Sequence, residues 1–393
     1  MRRAILCLVA LFLCLSSLFL IYRAQRRLPP SLVSESRVAA WMPTAWDGAR
    51  ARASWEAHHT HIHELSPVWY QLDASGDGSI NPYAGARDPA LVEATHAHST
   101  LIIPLINDHY PGSTPDPMPV SIMIHDPDRR AAHIATLVDE VVVHSYDGID
   151  IDYESLNGTA DRDAFSQFVE ELAAALHAQG KLLSVTVHPK TGEPGTWDGP
   201  RGQDWTRIGA AADRFRVMTY GYHWSGSDPG PIAPLWWMED VLRFAVSVVP
   251  PHRVYLGLHF YGYDWTRPGP SNHGSEDQGP VEGTRPSARS VVWEDVQALM
   301  ETHAAVPQWR GRNGWGRLVA EPWFTYTDGR GQAHEVWYAN RASVKARLEL
   351  AGKHGLGGVA IWRLGGEDPT TWSAIAARST GWSISASTGD DAP

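Results

Sequence analysis

Four carboxylates fall within the segment SYDGIDIDYES: Asp147, Asp150, Asp152 and Glu154. As a β-strand this segment places Asp150, Asp152 and Glu154 on one face and Ile149, Ile151 and Tyr153 on the other. Neighbours on the acidic face lie about 6.6 Å apart along the strand. Carboxylates so crowded raise one another's pKa, so at least one is expected to keep a proton near neutral pH. A general acid needs such a proton, and Glu154, the outermost of the three, is the candidate. Two other readings exist. Asp150 and Asp152 form a D-x-D pair of the kind that holds a divalent ion in a nucleotide-sugar transferase, but no Gly-rich phosphate loop follows a strand in the body. A solvated acidic edge predicts mixed residues opposite the acids, where this chain has Ile, Ile and Tyr.

Eight β-branched or aromatic runs must position these acids: Val38–Trp46, Pro67–Leu72, Thr100–Ile106, Gly148–Tyr153, Leu182–Val187, Phe215–Tyr220, Val254–Phe260 and Gly358–Trp362. Helical patterns lie between them. DPDRRAAHIATLVDEVVVH offers Asp126 as N-cap and Pro127 at the first helical position. RDAFSQFVEELAAALHAQG repeats Phe165, Phe168, Leu172, Ala175 and Leu176 at helical spacing and stops at Gly180. Eight alternating units predict an α/β fold, a (β/α)8 TIM barrel, with an open sheet as the other topology of the same pattern. Barrel enzymes keep their chemistry at the C-terminal ends of the strands, where Glu154 falls. Runs seven and eight are far apart, and the residues from about 266 to 340 read as a small α+β insertion walling a groove. Its aromatic runs around Asp328-Gly329 signal a hairpin.

The chain has 393 residues, 43% of them hydrophobic, enough for one large core. Ala4–Tyr22 is uncharged and about 28 Å long as a helix. Residues 1–30 are therefore read as a signal peptide or signal anchor, 31–37 as a linker, 38–378 as the folded barrel and 379–393 as a flexible tail. The expected location is extracytoplasmic, membrane-anchored or secreted. Both cysteines, Cys7 and Cys14, lie in the apolar run, so the body has no disulfide and no Cys-based metal site or nucleophile. The net charge is −11 although residues 1–30 carry five Arg and no acid. So acidic a body argues against a nucleic-acid partner.

DGIDIDYE resembles the D-G-x-D-x-D-x-E signature of glycoside hydrolase family 18, the chitinase-like (β/α)8 enzymes, and falls on the fourth strand as in that family. VMTYGYHWSG resembles the family's M-x-Y motif on strand six, GLHFYGYDW its strand seven, and GVAIWRLGGED its strand-eight segment. With ELSPVWYQLDASGDGSI and LLSVTVHPKTG, these wordings are most similar to the branch of spore-germination and cortex-lytic N-acetylglucosaminidases. The resemblance implies a retaining, substrate-assisted hydrolase of β-linked N-acetylglucosamine-containing polysaccharide, chitin-like or peptidoglycan. Under it Glu154 would protonate the glycosidic oxygen and Asp152 would hold the acetamido N–H. Asp150 would hold Asp152, Tyr220 would donate to the acetamido oxygen, and Trp362 would lie under the sugar ring. It implies no cofactor, no metal and a monomer. The alternative on the same barrel is a non-hydrolytic glycan-binding lectin, which typically lacks the acid that Glu154 supplies. One departure stands out: Gly221 occupies a position usually held by Asp or Asn, removing a side chain that would help hold the sugar.

The motif positions Asp147 and Met218 join the substrate-binding candidates, with Tyr70, Asn107, His223 and Tyr261 at strand ends. Trp69, Trp224, Tyr263 and Trp265 could extend a stacking surface, and Asp264 and Glu367 are weaker polar candidates at the same rim. DASGDGSI imitates a calcium loop at Asp73, Ser75, Asp77 and Gly78, but Ala84 stands where a bidentate Glu is needed, which favours a tight turn. In HHTHIHEL, His59 and His63 would be one helical turn apart; an exposed helix face is expected over a zinc site.

Overall fold

The parity seen in the acidic segment recurs along the strands of the barrel, with one break in the second strand. The computed structural model describes residues 36–110, 112, 116, 118–267 and 287–379. Its eight parallel strands are β1 (Arg37–Pro43), β2 (Glu64–Leu72), β3 (Leu101–Ile102 and Leu105–Asn107), β4 (Gly148–Asp152), β5 (Leu182–Val187), β6 (Arg214–Val217), β7 (Val254–His259) and β8 (Gly358–Trp362). Each pairs with the next, and β1 pairs with both β2 and β8, so the sheet closes on itself. Outward residues such as Ile149, Ile151, Val185 and Val217 join the helices in one large core, while Ala39, Trp41, Leu105, Tyr255 and Ala360 pack inside. All eight expected strands form. The helix Pro127–Val143 starts as expected, the Asp126 carboxylate accepting from the N–H groups of Asp128 and Arg129. The helix Arg162–Ala178 is followed by Gly180 at φ 67°.

One local expectation is corrected, and the two expected turns form. His59 lies in a 3-10 turn and His63 leads into β2, where its Nδ1 accepts from the Val38 N–H, so the histidines share no helix face. The Asp73 and Asp77 carboxylates accept from the N–H groups of Ser75 and Ser79, which makes DASGDGSI the turn joining β2 to the antiparallel strand Ile80–Pro82. The hairpin near Asp328 turns over Asp328–Gln332, with Gly331 rather than Gly329 in the left-handed region.

The insertion is a five-stranded antiparallel sheet in the order Ser287–Val291, Gly262–Thr266, Ala333–Tyr338, Leu318–Thr327, Gln308–Arg312. The helix Trp293–His303 covers one face through Val296. The other face packs Trp265, Trp337 and Val319 against Ile232, with Tyr220 and Tyr261 at the margin. The insertion therefore stands on the rim of the barrel mouth. Among the described residues no helix is long and apolar enough to cross a membrane. The apolar run Ala4–Tyr22, most of the expected linker and nearly all of the expected tail lie outside the described residues.

Candidate active site

The acidic face of β4 opens with Gly148, and the reason is spatial: a Cβ there would sit 2.3 Å from the Leu182 carbonyl oxygen of β5. Asp150 follows, fully buried. Its carboxylate accepts from Trp41 Nε1 at 2.8 Å, Arg216 at 2.9 Å and Thr186 Oγ1 at 3.2 Å. Asp150 is thus held by Arg216, Trp41 and Thr186, and it acts on Asp152 through its charge. Asp152 is 8% exposed, and its Oδ1 has no hydrogen-bond partner among the described residues. Burial raises its pKa well above the usual carboxylate range, and the charges of Glu154, Asp150 and Asp108 push the same way. Glu154 presents 48% of its side chain to the groove. Desolvation by the groove walls nevertheless raises its pKa, with His109 acting in the opposite direction.

Two residues fix Glu154 that the sequence reading did not select. Asp108, just past β3, accepts from the backbone N–H groups of Glu154 at 2.9 Å and Ser155 at 2.8 Å. It clamps the chain where β4 ends. His188, just past β5, is 5% exposed and places Nε2 3.3 Å from the Glu154 carbonyl oxygen and 3.6 Å from its carboxylate. Burial lowers its pKa to about 4, so the imidazole is neutral beside the acid and does not hold a carboxylate charge there. Trp197 packs edge-on over it at 4.5 Å.

Tyr220, Tyr261 and Trp362 join this site. The Tyr220 and Tyr261 rings meet edge to face at 6.1 Å, and Trp362 stands against Trp41 at 5.9 Å. Burial pushes the Tyr220 phenol well above its ordinary pKa, and the charges of Asp152, Glu154 and Asp150 reach it, so it stays a donor. Met218 continues the interior parity of Arg216. Asn107 sits at the mouth end of β3, its Oδ1 accepting from the Tyr83 hydroxyl. Gly221 has φ 79°, and a Cβ there would meet nothing within 4 Å, leaving open space beside Tyr220.

Other candidates lie elsewhere. Asp147 precedes β4 at the opposite end of the barrel and accepts from the Ile102 N–H and His96. Tyr70 leaves the interior because β2 shifts register between Val68 and Tyr70; it is fully buried and bonded to Tyr146 and Glu140. Trp69 and Trp265 are core residues with no exposed surface. His223 closes its own loop onto the Asp228 carbonyl. Asp264 accepts from Tyr326 and pairs with His334 within the insertion, and Glu367 accepts from Trp372.

The electrostatics of Asp152 make a stability prediction. In the unfolded chain its carboxyl titrates near 3.9, and in the folded protein it titrates higher. Between those values the native state holds a proton that the unfolded chain has lost, so stability falls as pH rises through that window. Asp152→Asn removes the penalty. The variant is expected to match the wild type near pH 3 and to exceed it at pH 7 by on the order of 1–3 kcal/mol in urea unfolding. A variant less stable than wild type at pH 7 would contradict the assignment of Asp152 as a strained, unsatisfied acid.

A closed parallel barrel whose mouth gathers two carboxyls of raised pKa, a tyrosine and an indole has the design of a glycosidase. Residues 112–367 match the profile of glycosyl hydrolases family 18, and the chain belongs to that family. It is 29% identical over 251 residues to the putative sporulation-specific glycosylase YdhD of Bacillus subtilis, covering 64% of this chain and 54% of that one. It is 27% identical over 253 residues to the cortical fragment-lytic enzyme of the same organism, with coverage of 64% and 54%. The chain spans about half the length of these curated relatives. Among solved structures, a chitinase from Chromobacterium violaceum superposes with a TM-score of 0.75 at 25% identity, over 88% of this chain and all of that one. The spore cortex-lytic enzyme SleL of Bacillus megaterium shares the fold, with a TM-score of 0.74 at 21% identity over 87% of this chain and 74% of that one.

Proposed function

We propose that this protein is a retaining hydrolase of β-linked N-acetylglucosamine-containing glycans in which the substrate's own 2-acetamido group is the nucleophile. The observation that carries the reading is the unpartnered, buried Oδ1 of Asp152 beside Glu154. A buried acceptor without a donor is suited to receive one, and the acetamido N–H supplies it. The neighbouring carboxylates are already committed, Asp150 to Arg216 and Asp108 to two backbone N–H groups, which disfavours either as a nucleophile.

In this scheme Glu154 gives its proton to the glycosidic oxygen as the C1–O bond breaks. The acetamido oxygen closes on C1 to form an oxazolinium ion, whose charge Asp152 offsets while Tyr220 donates to the acetamido oxygen. Water then attacks C1, Glu154 recovers its proton, and two inversions give net retention. Trp362 offers an apolar face to the axial C–H groups of the sugar. The motifs that resemble the cortex-lytic N-acetylglucosaminidases support peptidoglycan as one substrate, and the uncharged run Ala4–Tyr22 supports action outside the cytoplasm.

Two measurements test the scheme. NMR of fresh digests of N-acetylated oligomers is expected to show the β-anomer first, and the fully de-N-acetylated oligomers are expected to remain intact. An initial α-anomer, or cleavage of both oligomers at similar rates, would refute acetamido participation.

A further inference from the structure

The outer edge of the insertion reverses the character of the rest of the protein. The chain is acidic, yet no acid occurs between Glu301 and Glu321, an interval that holds Arg310, Arg312 and Arg317. Its hairpin, QWRGRNGWGRL, runs along the free edge of the five-stranded sheet. Trp315 at its turn is 90% exposed and Trp309 is 48% exposed. A lone exposed indole is unremarkable, but two of them beside arginines on one element form a surface built for contact.

That surface continues toward the barrel mouth. Arg317 lies over the Trp236 indole, 3.9 Å from the ring centroid, and pairs with Asp240. Trp236 and Asp240 then line a cleft of about 590 Å³ with Trp237 and Arg243. Tyr222, two residues beyond Tyr220, packs against both indoles at 5.2 and 5.5 Å. Hairpin, cleft and the segment after β6 that carries Tyr220 and Tyr222 thus form one connected path.

We propose that the hairpin and this cleft are an accessory docking surface for an anionic glycan, a strand of amino sugars that carries carboxylates. The proposal rests on the hydrolase reading for its choice of a glycan, and it narrows that reading from neutral to carboxylate-bearing polymers. Exposed indole faces suit the C–H faces of pyranoses. Guanidinium groups suit carboxylates, which they bind with two parallel hydrogen bonds. Arg317 is already paired with Asp240, whereas Arg310 and Arg312 pair with no acid among the described residues and are the guanidinium groups left for a glycan carboxylate. An anionic lipid surface calls for a denser basic cluster, about four to eight Lys or Arg, whereas here Arg310 and Arg317 already lie over Trp323 and Trp236.

The test compares the full wild-type chain with the Trp315→Ala/Arg312→Glu variant in pelleting assays. The four supports are purified peptidoglycan sacculi, sacculi with amidated carboxyls, chitin particles and phosphatidylglycerol vesicles. The variant is expected to bind native sacculi about tenfold more weakly, and wild type on amidated sacculi should fall comparably. Wild-type binding to native sacculi should also weaken with added salt. Turnover of a short, soluble chitooligosaccharide should be unchanged. Equal binding of the two proteins to native sacculi overturns the proposal, and so does an equal loss on chitin, which needs no anion recognition. A loss confined to vesicles overturns it in favour of a lipid surface. Wild type that cleaves neither sacculi nor soluble oligomers refutes the hydrolase reading separately, because the binding contrast does not depend on turnover.

Discussion

Glu154→Gln is expected to lower kcat on N-acetylated oligomers by about a thousandfold while leaving KM within a few-fold of wild type. The substitution keeps the size of the side chain and its hydrogen-bonding reach. It also keeps the backbone N–H that Asp108 holds at 2.9 Å, so the end of β4 stays in place. Only the transferable proton is lost. The pH profile should change with it. In wild type the alkaline limb of kcat reports loss of that proton, and the raised pKa of Glu154 places it above the range of an ordinary glutamate. In the variant, residual activity should lose this limb. Steady-state kinetics from pH 4 to 9 would decide the matter, and a variant that kept a tenth of wild-type kcat would exclude Glu154 as the acid.

The acids of this site were legible in the sequence because their placement depends on a single strand. Alternation alone placed Asp150, Asp152 and Glu154 on one face, because a period of two is a local property of the backbone. Asp108 was not legible in the same way. Its role is to accept two N–H groups from the end of a neighbouring strand, a relation created only when β3 and β4 pair. Tyr70 failed for a related reason: its parity matched the interior until the register shift in β2 turned it outward. Asp147 carried the right residue type and the wrong end of the strand. A cue for the interior ion network was present, since Arg214 and Arg216 share the inward parity of β6 and buried arginines need acids. Following it would have led to Glu64 and Asp150.

That network makes the largest stability prediction. Arg216 is fully buried, pairs with Asp150 at 2.9 Å and Glu64 at 3.2 Å, and donates to Ser66 Oγ at 2.7 Å. Glu64 has no exposed surface either and also pairs with Arg214 at 2.6 Å. Burial drives the pKa of Glu64 upward, but Arg214 and Arg216 outweigh it and hold the carboxyl below its usual value. A depressed carboxyl pKa contributes stability above the unfolded value, near 4.3, and that contribution is lost as pH falls through the folded value. Arg216→Met keeps most of the volume and leaves two buried carboxylates short of a cation. The expected cost is about 3–5 kcal/mol at pH 7, read as a lower urea midpoint, and it should shrink toward pH 4 as the Glu64 carboxyl, deprived of one of its cations, takes up a proton. Adding Asp150→Asn should recover part of the loss, because the Trp41 indole can still donate to the amide oxygen. A loss below about 1 kcal/mol, or one independent of pH, would mean that Arg216 serves mainly as packing. The same contact bears on the candidate site, since Arg216 anchors Asp150 beneath Asp152 on the face of β4 that leads to Glu154.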